Sequence, residues 1–157
     1  HPRAHLVVAG LDRGGWMEDH IAPAVEADGN GDRLHHLGHR SQPEVRALIK
    51  HADVSLLMST WDNAPYSALE VMAAGRPLVA SDVGGLPEMV DHERTGLLAR
   101  PGDAGAHVEA VSRLIEDADL REALGAAARR TVEDRYTDTV MAERTVERWR
   151  ATIDQEA

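Results

Sequence analysis

The chain has no cysteine and no phenylalanine. Without cysteine, disulfides, thiolate zinc sites and a cysteine nucleophile are all excluded. Its aromatic residues, three Trp and two Tyr, are too few for the serial stacking platforms that hold single-stranded nucleic acid. Lys50 is the single lysine, and 17 Lys+Arg against 27 Asp+Glu leave a formal charge of −10. Phosphate backbones and anionic membranes are recognised by clustered cations, so neither nucleic acid nor a lipid surface suits this chain. No apolar run approaches the roughly 18 residues of a transmembrane segment, and no signal-peptide pattern opens the sequence. These absences leave a globular piece expected to be soluble and cytoplasmic, and its 157 residues suffice to bury a substantial core. His1-Pro2-Arg3 stands where an initiator Met would be, which reads as a fragment or processed product.

What is present is an alternation of short apolar runs and helical patterns. Leu6-Val7-Val8-Ala9, halted by Gly10, reads as a buried strand. Met17, Ile21 and Val25 recur at helical spacing and end near Asn30-Gly31. Leu34 to Leu37, stopped by Gly38, is a second strand. Ser41-Gln42-Pro43-Glu44 supplies a capping box, and Val45, Leu48, Ile49 and Ala52 form the apolar face behind it. Val54 to Met58, Pro77 to Ser81 and Gly96 to Ala99 complete the strands. Between them lie a helix from Pro65 to Ala74, closed by Gly75, and a short turn and helix containing Pro87-Glu88. From Asp103 the pattern is helical, marked by Val108, Val111 and Ile115, then Leu120 and Leu124, then Val146, Trp149 and Ile153. Parallel neighbours need crossover connections, so the alternation predicts an α/β, Rossmann-like parallel sheet with flanking helices and a helical C-terminal tail. Residues 1–157 are expected to form one domain, with a strand-helix portion over 6–102 and a helical portion over 103–154.

In an open parallel sheet, ligands bind beyond the carboxyl ends of the strands. Three segments arrive there: Gly38-His39, Ser59 to Tyr66, and Ser81-Asp82-Val83-Gly84-Gly85. The middle one runs from a strand end into a helix, whose free N–H groups and dipole favour an anion. Glu70 follows Asp62 with seven residues between them. On a helix starting at Asn63 or Ala64, it points toward the same sheet edge. Locally, Asp62 reads equally well as an N-cap, Glu70 as a solvated helix residue, and Gly84-Gly85 as a tight turn. The run His35-His36-Leu37-Gly38-His39 spans a strand end and a turn, which is not the spacing of a metal site on one helix face.

Taken together, Ser59-Thr60-Trp61-Asp62, Leu69-Glu70-Val71-Met72-Ala73-Ala74-Gly75-Arg76-Pro77 and Ser81-Asp82-Val83-Gly84-Gly85-Leu86-Pro87-Glu88 resemble the signature of retaining GT-B glycosyltransferases of the group 1, or family-four, class. Leu6 to Gly10, Leu37-Gly38-His39, Thr95-Gly96-Leu97-Leu98, Pro101-Gly102-Asp103 and the tail from Leu120 to Arg135 resemble further parts of it. The resemblance covers residues 6 to 154. It implies a C-terminal nucleotide-sugar domain in which Glu70 accepts hydrogen bonds from the ribose and Asp62 holds the donor sugar. Backbone around Asn63, Ala64 and Pro65 would meet sugar and phosphate, and Gly38-His39 would lie against the base. The implied reaction transfers a sugar from a UDP- or GDP-sugar to an acceptor hydroxyl with retention, without an obligatory metal or other cofactor. Its acceptor site would lie in an N-terminal domain.

Two substitutions depart from that family pattern: Asp62 replaces the commoner Glu, and Ala64 a frequent Phe. The family's opening strand, Arg and Lys, which neutralise the donor diphosphate, are not found here. The isolated chain is therefore expected to be inactive, and to be marginally stable, aggregation-prone or paired through an exposed sheet edge. Competing readings are a sugar-nucleotide epimerase of the same architecture and a non-catalytic donor-binding or assembly module. A receiver-type signalling domain ranks last, because no acidic cluster follows an early strand.

Overall fold

The computed structural model describes residues 1–12 and 14–155, which form two compact units, His1–Leu48 and Ile49 onward. In the first unit, β1 (Leu6–Ala9) and β2 (Leu34–Gly38) pair in parallel, with Leu6 opposite Leu34 and Val8 opposite His36. Their crossover begins as a wide turn over Met17–Ile21 and tightens into α1 (Ala22–Ala27). Pro23 stands just past that junction. It has no N–H to give to a preceding carbonyl, so α-helical bonding cannot run unbroken there. Next comes α2 (Gln42–His51), at the predicted capping box. Ser41 donates its backbone N–H to Glu44 Oε2 at 2.8 Å and its hydroxyl to the same oxygen at 2.5 Å.

The second unit holds a parallel sheet of β3 (Ser55–Leu57), β4 (Leu78–Ser81) and β5 (Leu97–Ala99), in that order. Its helices are α3 (Tyr66–Ala73), α4 (Leu86–Met89), α5 (Ala104–Glu116), α6 (Ala118–Arg135) and α7 (Asp138–Gln155). The strands are shorter than the apolar runs suggest. Pro77, with no N–H, stays outside the ladder and only accepts, from Ser55 N at 3.0 Å.

All four residues of β4 are buried, and their alternation sorts the core. Leu78 and Ala80 pack with Ala68, Val71 and Met72 of α3, Leu86 and Met89 of α4, and Ala128 of α6. Val79 belongs to the other cluster, with Leu97 of β5, Ala110 and Leu114 of α5, and Leu124 of α6. Both faces are thus covered by helices, as a parallel sheet requires. The fold is the Rossmann-like α/β arrangement expected, in two open parallel sheets. The tail is helical too, but α7 leaves Met141, Trp149 and Ile153 exposed.

Candidate functional site

Because β3, β4 and β5 are parallel, their carboxyl ends share one edge, and the connections to α3, α4 and α5 leave from it. Asp62 lies half-buried in the first of these; Asn63 and Ala64 are exposed, and Pro65 is buried. Helix α3 begins only at Tyr66, with Pro65 as its N-cap in an extended conformation (φ −71°, ψ 120°). This start agrees with the helix expected from Pro65. The helix does not reach back to Asn63 or Ala64, and the alternative reading of Asp62 as its N-cap does not hold. The reason is steric: a proline disfavours helical dihedrals at the residue before it, here Ala64. Pro65 also offers no N–H, so the outermost helical donors are those of Tyr66 and Ser67. The next, Ala68 N–H, bonds Pro65 O at 3.0 Å. No side chain caps this N-terminus, which leaves its first N–H groups to solvent or to a ligand.

Glu70 follows just over one turn into α3 and is half-buried. Buried Ala68, Val71 and Met72 anchor the helix around it in the core. Asp62, Asn63, Ala64, Pro65 and Glu70 therefore sit on one continuous loop-and-helix segment at the sheet's carboxyl edge. Gly38 and His39 belong to the first unit. There Gly38 (φ 65°) ends β2 and accepts a hydrogen bond from Gly10 N at 2.9 Å, while His39 is exposed beside the α2 cap. In the histidine run, His35 pairs with His5 across 3.0 Å. Among the described residues no three His, Asp or Glu side chains converge as metal ligands do.

Two features of this edge were not legible in the sequence. One is the pair Ser81 and His107, both buried, which ties the end of β4 to the start of α5. His107 Nδ1 lies 2.8 Å from the Asp103 carbonyl, an acceptor only, so it carries the proton; Nε2 then accepts from Ser81 Oγ at 3.2 Å. The other is the floor beneath the Asp62 loop, made by Gly84 and Gly85. Gly85 N–H donates to Asp62 O at 3.1 Å. A Cβ on Gly84 would fall 1.7 Å from Asp62 O, and one on Gly85 1.9 Å from Asn63 O. Adjacent glycines signal a turn in any sequence; nothing local tells which backbone rests on them.

The family model of glycosyl transferases group 1 matches residues 1–131. An uncharacterized glycosyltransferase of Methanocaldococcus jannaschii is 31% identical over 151 residues, which is 96% of this chain and 38% of that protein. Sucrose-phosphate synthase of Thermosynechococcus elongatus superposes with a TM-score of 0.82 at 29% identity, over 96% of this chain and 39% of that one. Anabaena HepE, solved in complex with UDP, superposes with a TM-score of 0.87 over 96% of this chain and 42% of that one; at 21% identity this likeness is one of fold. The chain spans well under half the length of each of these proteins. By its motifs, its parallel sheets with flanking helices and these matches, the chain belongs to the group 1 glycosyl transferases and has the fold of a GT-B C-terminal domain.

Proposed function

We propose that the chain is the donor-binding domain of a retaining glycosyltransferase and holds a UDP- or GDP-sugar at the carboxyl edge of β3 and β4. The observation that carries this reading is the single segment bearing Asp62, an uncapped helix start and Glu70 at that edge. A carboxylate accepts strong, charge-assisted bonds from hydroxyls, while a helix N-terminus attracts phosphate. Glu70 takes the ribose hydroxyls, Asp62 the hydroxyls of the sugar in transit, and the N–H groups near Asn63, Ala64, Tyr66 and Ser67 the diphosphate. Gly38-His39 is assigned to the base on its motif alone. HepE, which has this fold, binds UDP.

We give Asp62 and Glu70, the carboxylates of the segment, binding roles and invoke no side-chain nucleophile. Catalysis then consists of positioning and of stabilising the leaving diphosphate, with no obligatory metal. The acceptor is assigned to an N-terminal domain, and the isolated chain to the inactive class. No described helix is long and apolar enough to cross a membrane, and the site of action we assign is the cytoplasm, where sugar nucleotides are drawn from solution.

The test divides the two carboxylates in the glycosyltransferase that carries this domain. Glu70→Ala is expected to weaken free UDP or GDP about tenfold or more, the loss of a charged hydrogen bond. Asp62→Ala should spare the free nucleotide and depress turnover, since its partner is the sugar. Asp62→Glu restores the family's commoner length, and a gain with a different sugar donor would explain the substitution. Calorimetric titration with UDP and GDP, beside initial rates with the sugar nucleotides, reads all three. Equal, large losses of free-nucleotide affinity in both alanine variants would end the division of labour. No change in either would remove the donor site itself.

A further inference from the structure

We infer that Gly84 and Gly85 are positioning residues of the donor site: the loop after β4 is the seat that sets the height of the Asp62–Ala64 backbone. The inference rests on the donor-site reading above and deepens it. Its basis is the close approach of two loops that leave neighbouring strands. Contacts shorter than 3.0 Å are essentially never made by real Cβ atoms, yet a Cβ at position 84 would stand 1.7 Å from Asp62 O and one at position 85 1.9 Å from Asn63 O. Both obstacles are backbone oxygens, so no side-chain rotation relieves them. One loop would have to move by roughly 1 Å or more, a displacement that can cost a well-oriented site about a hundredfold in rate.

The seat also holds as well as yields. Gly85 N–H grips Asp62 O at 3.1 Å, and Leu86 N–H closes the turn on Val83 O at 3.1 Å. Beneath it, Val83 packs against the core cluster of β4, α3 and α4. The seat is therefore fixed to the sheet, and the Asp62 loop is fixed to the seat. Glu70 is placed by α3 itself, whose Ala68, Val71 and Met72 lie in that same cluster. The two ends of the proposed donor contact thus share one core but are set by different backbone. The β4 loop seats the Asp62–Ala64 backbone at the sugar end, and α3 carries Tyr66, Ser67 and Glu70 toward the diphosphate and ribose.

The two glycines separate crowding from strain. Gly84 has φ 54°, where any side chain is strained. Gly85 has φ −86° and ψ −4°, a turn conformation open to alanine without the left-handed penalty, so the clash is the main effect of Gly85→Ala. Gly102 is the reverse: its φ is 74°, but nothing lies within 4 Å of an added Cβ. Gly102→Ala thus adds strain without crowding.

The experiment measures affinity for UMP, which reads the ribose end, and for UDP-glucose, which reads both ends, with GMP and GDP-mannose as the guanine pair. It uses the glycosyltransferase containing this domain. Gly85→Ala should lose about tenfold or more in UDP-glucose affinity and keep UMP affinity within about threefold. Val83→Ala loosens the same seat without adding an atom, so it reports even if Gly85→Ala fails to fold; the same split is expected, smaller in size. Gly102→Ala should lower the unfolding midpoint and leave both affinities alone. Unchanged UDP-glucose affinity in Gly85→Ala and Val83→Ala would overturn the inference. So would loss of UMP and UDP-glucose together, the mark of general collapse. Glu70→Ala, run alongside, keeps the two claims apart: if it leaves UMP affinity intact, the donor-site reading has failed and the inference falls with it. If it removes UMP while Gly85→Ala and Val83→Ala change nothing, only the positioning claim has failed.

Discussion

Glu44 shows what a single residue can fix through its nearest neighbours. The hydroxyl of Ser41 and then its backbone N–H both donate to the Glu44 carboxylate, with the charges of Arg40 and His39 adding a little. Together they hold its pKa below the ordinary value of 4.5. A carboxylate depressed by folding contributes stability above its unfolded pKa and loses it as pH falls through the lower folded value. The start of α2 should therefore loosen only in acid below about pH 4.5. A carboxyl carbon-13 titration checks this: Ser41→Ala should move the Glu44 midpoint up toward the ordinary value, though not all the way, because the backbone donor remains. An unmoved midpoint would mean that the hydroxyl bond is not formed in solution. This cap was legible because it spans four consecutive residues. Asp62 has no such bond, because Pro65 sets the start of α3 three residues further on.

Elements meet where backbone can approach backbone. Gly75 ends α3 with φ 67°, and Gly125 lies in the middle of α6; a Cβ on Gly125 would fall 2.2 Å from Gly75 O and 2.9 Å from Gly75 C. Replacing glycine by alanine inside a helix ordinarily stabilises by about 1 kcal/mol. Here the overpacking term, roughly 1–3 kcal/mol, opposes it and should win, since backbone cannot rotate aside. Gly125→Ala is expected to lower the urea midpoint at unchanged slope. A rise in the midpoint would show that α3 and α6 do not cross this closely. The sequence announced Gly75 as a helix stop, but Gly125, among Leu124 and a run of alanines, gave no sign of what faces it.

At the scale of the molecule, burial is unevenly shared. Every buried residue among those described lies at Pro65 or beyond, and none lies in His1–Leu48. Local opening is easiest where few apolar side chains are covered. In hydrogen exchange on the full chain, amides of β1, α1 and β2 are expected to exchange well before those of β4 and α3. Equal protection in both units would show that the first unit is covered in solution. The sequence by itself determined the element order, the parallel Rossmann-like character, the capping box and the Asp62-to-Glu70 spacing, since these rest on period, punctuation and short-range motifs. Tertiary structure alone decided that β4 divides the core of the second unit, that His107 is the partner of Ser81, and that Gly84-Gly85 carries the Asp62 loop. Each of these depends on which distant backbone comes to rest against a residue, and a one-dimensional pattern records the residue but not its neighbour.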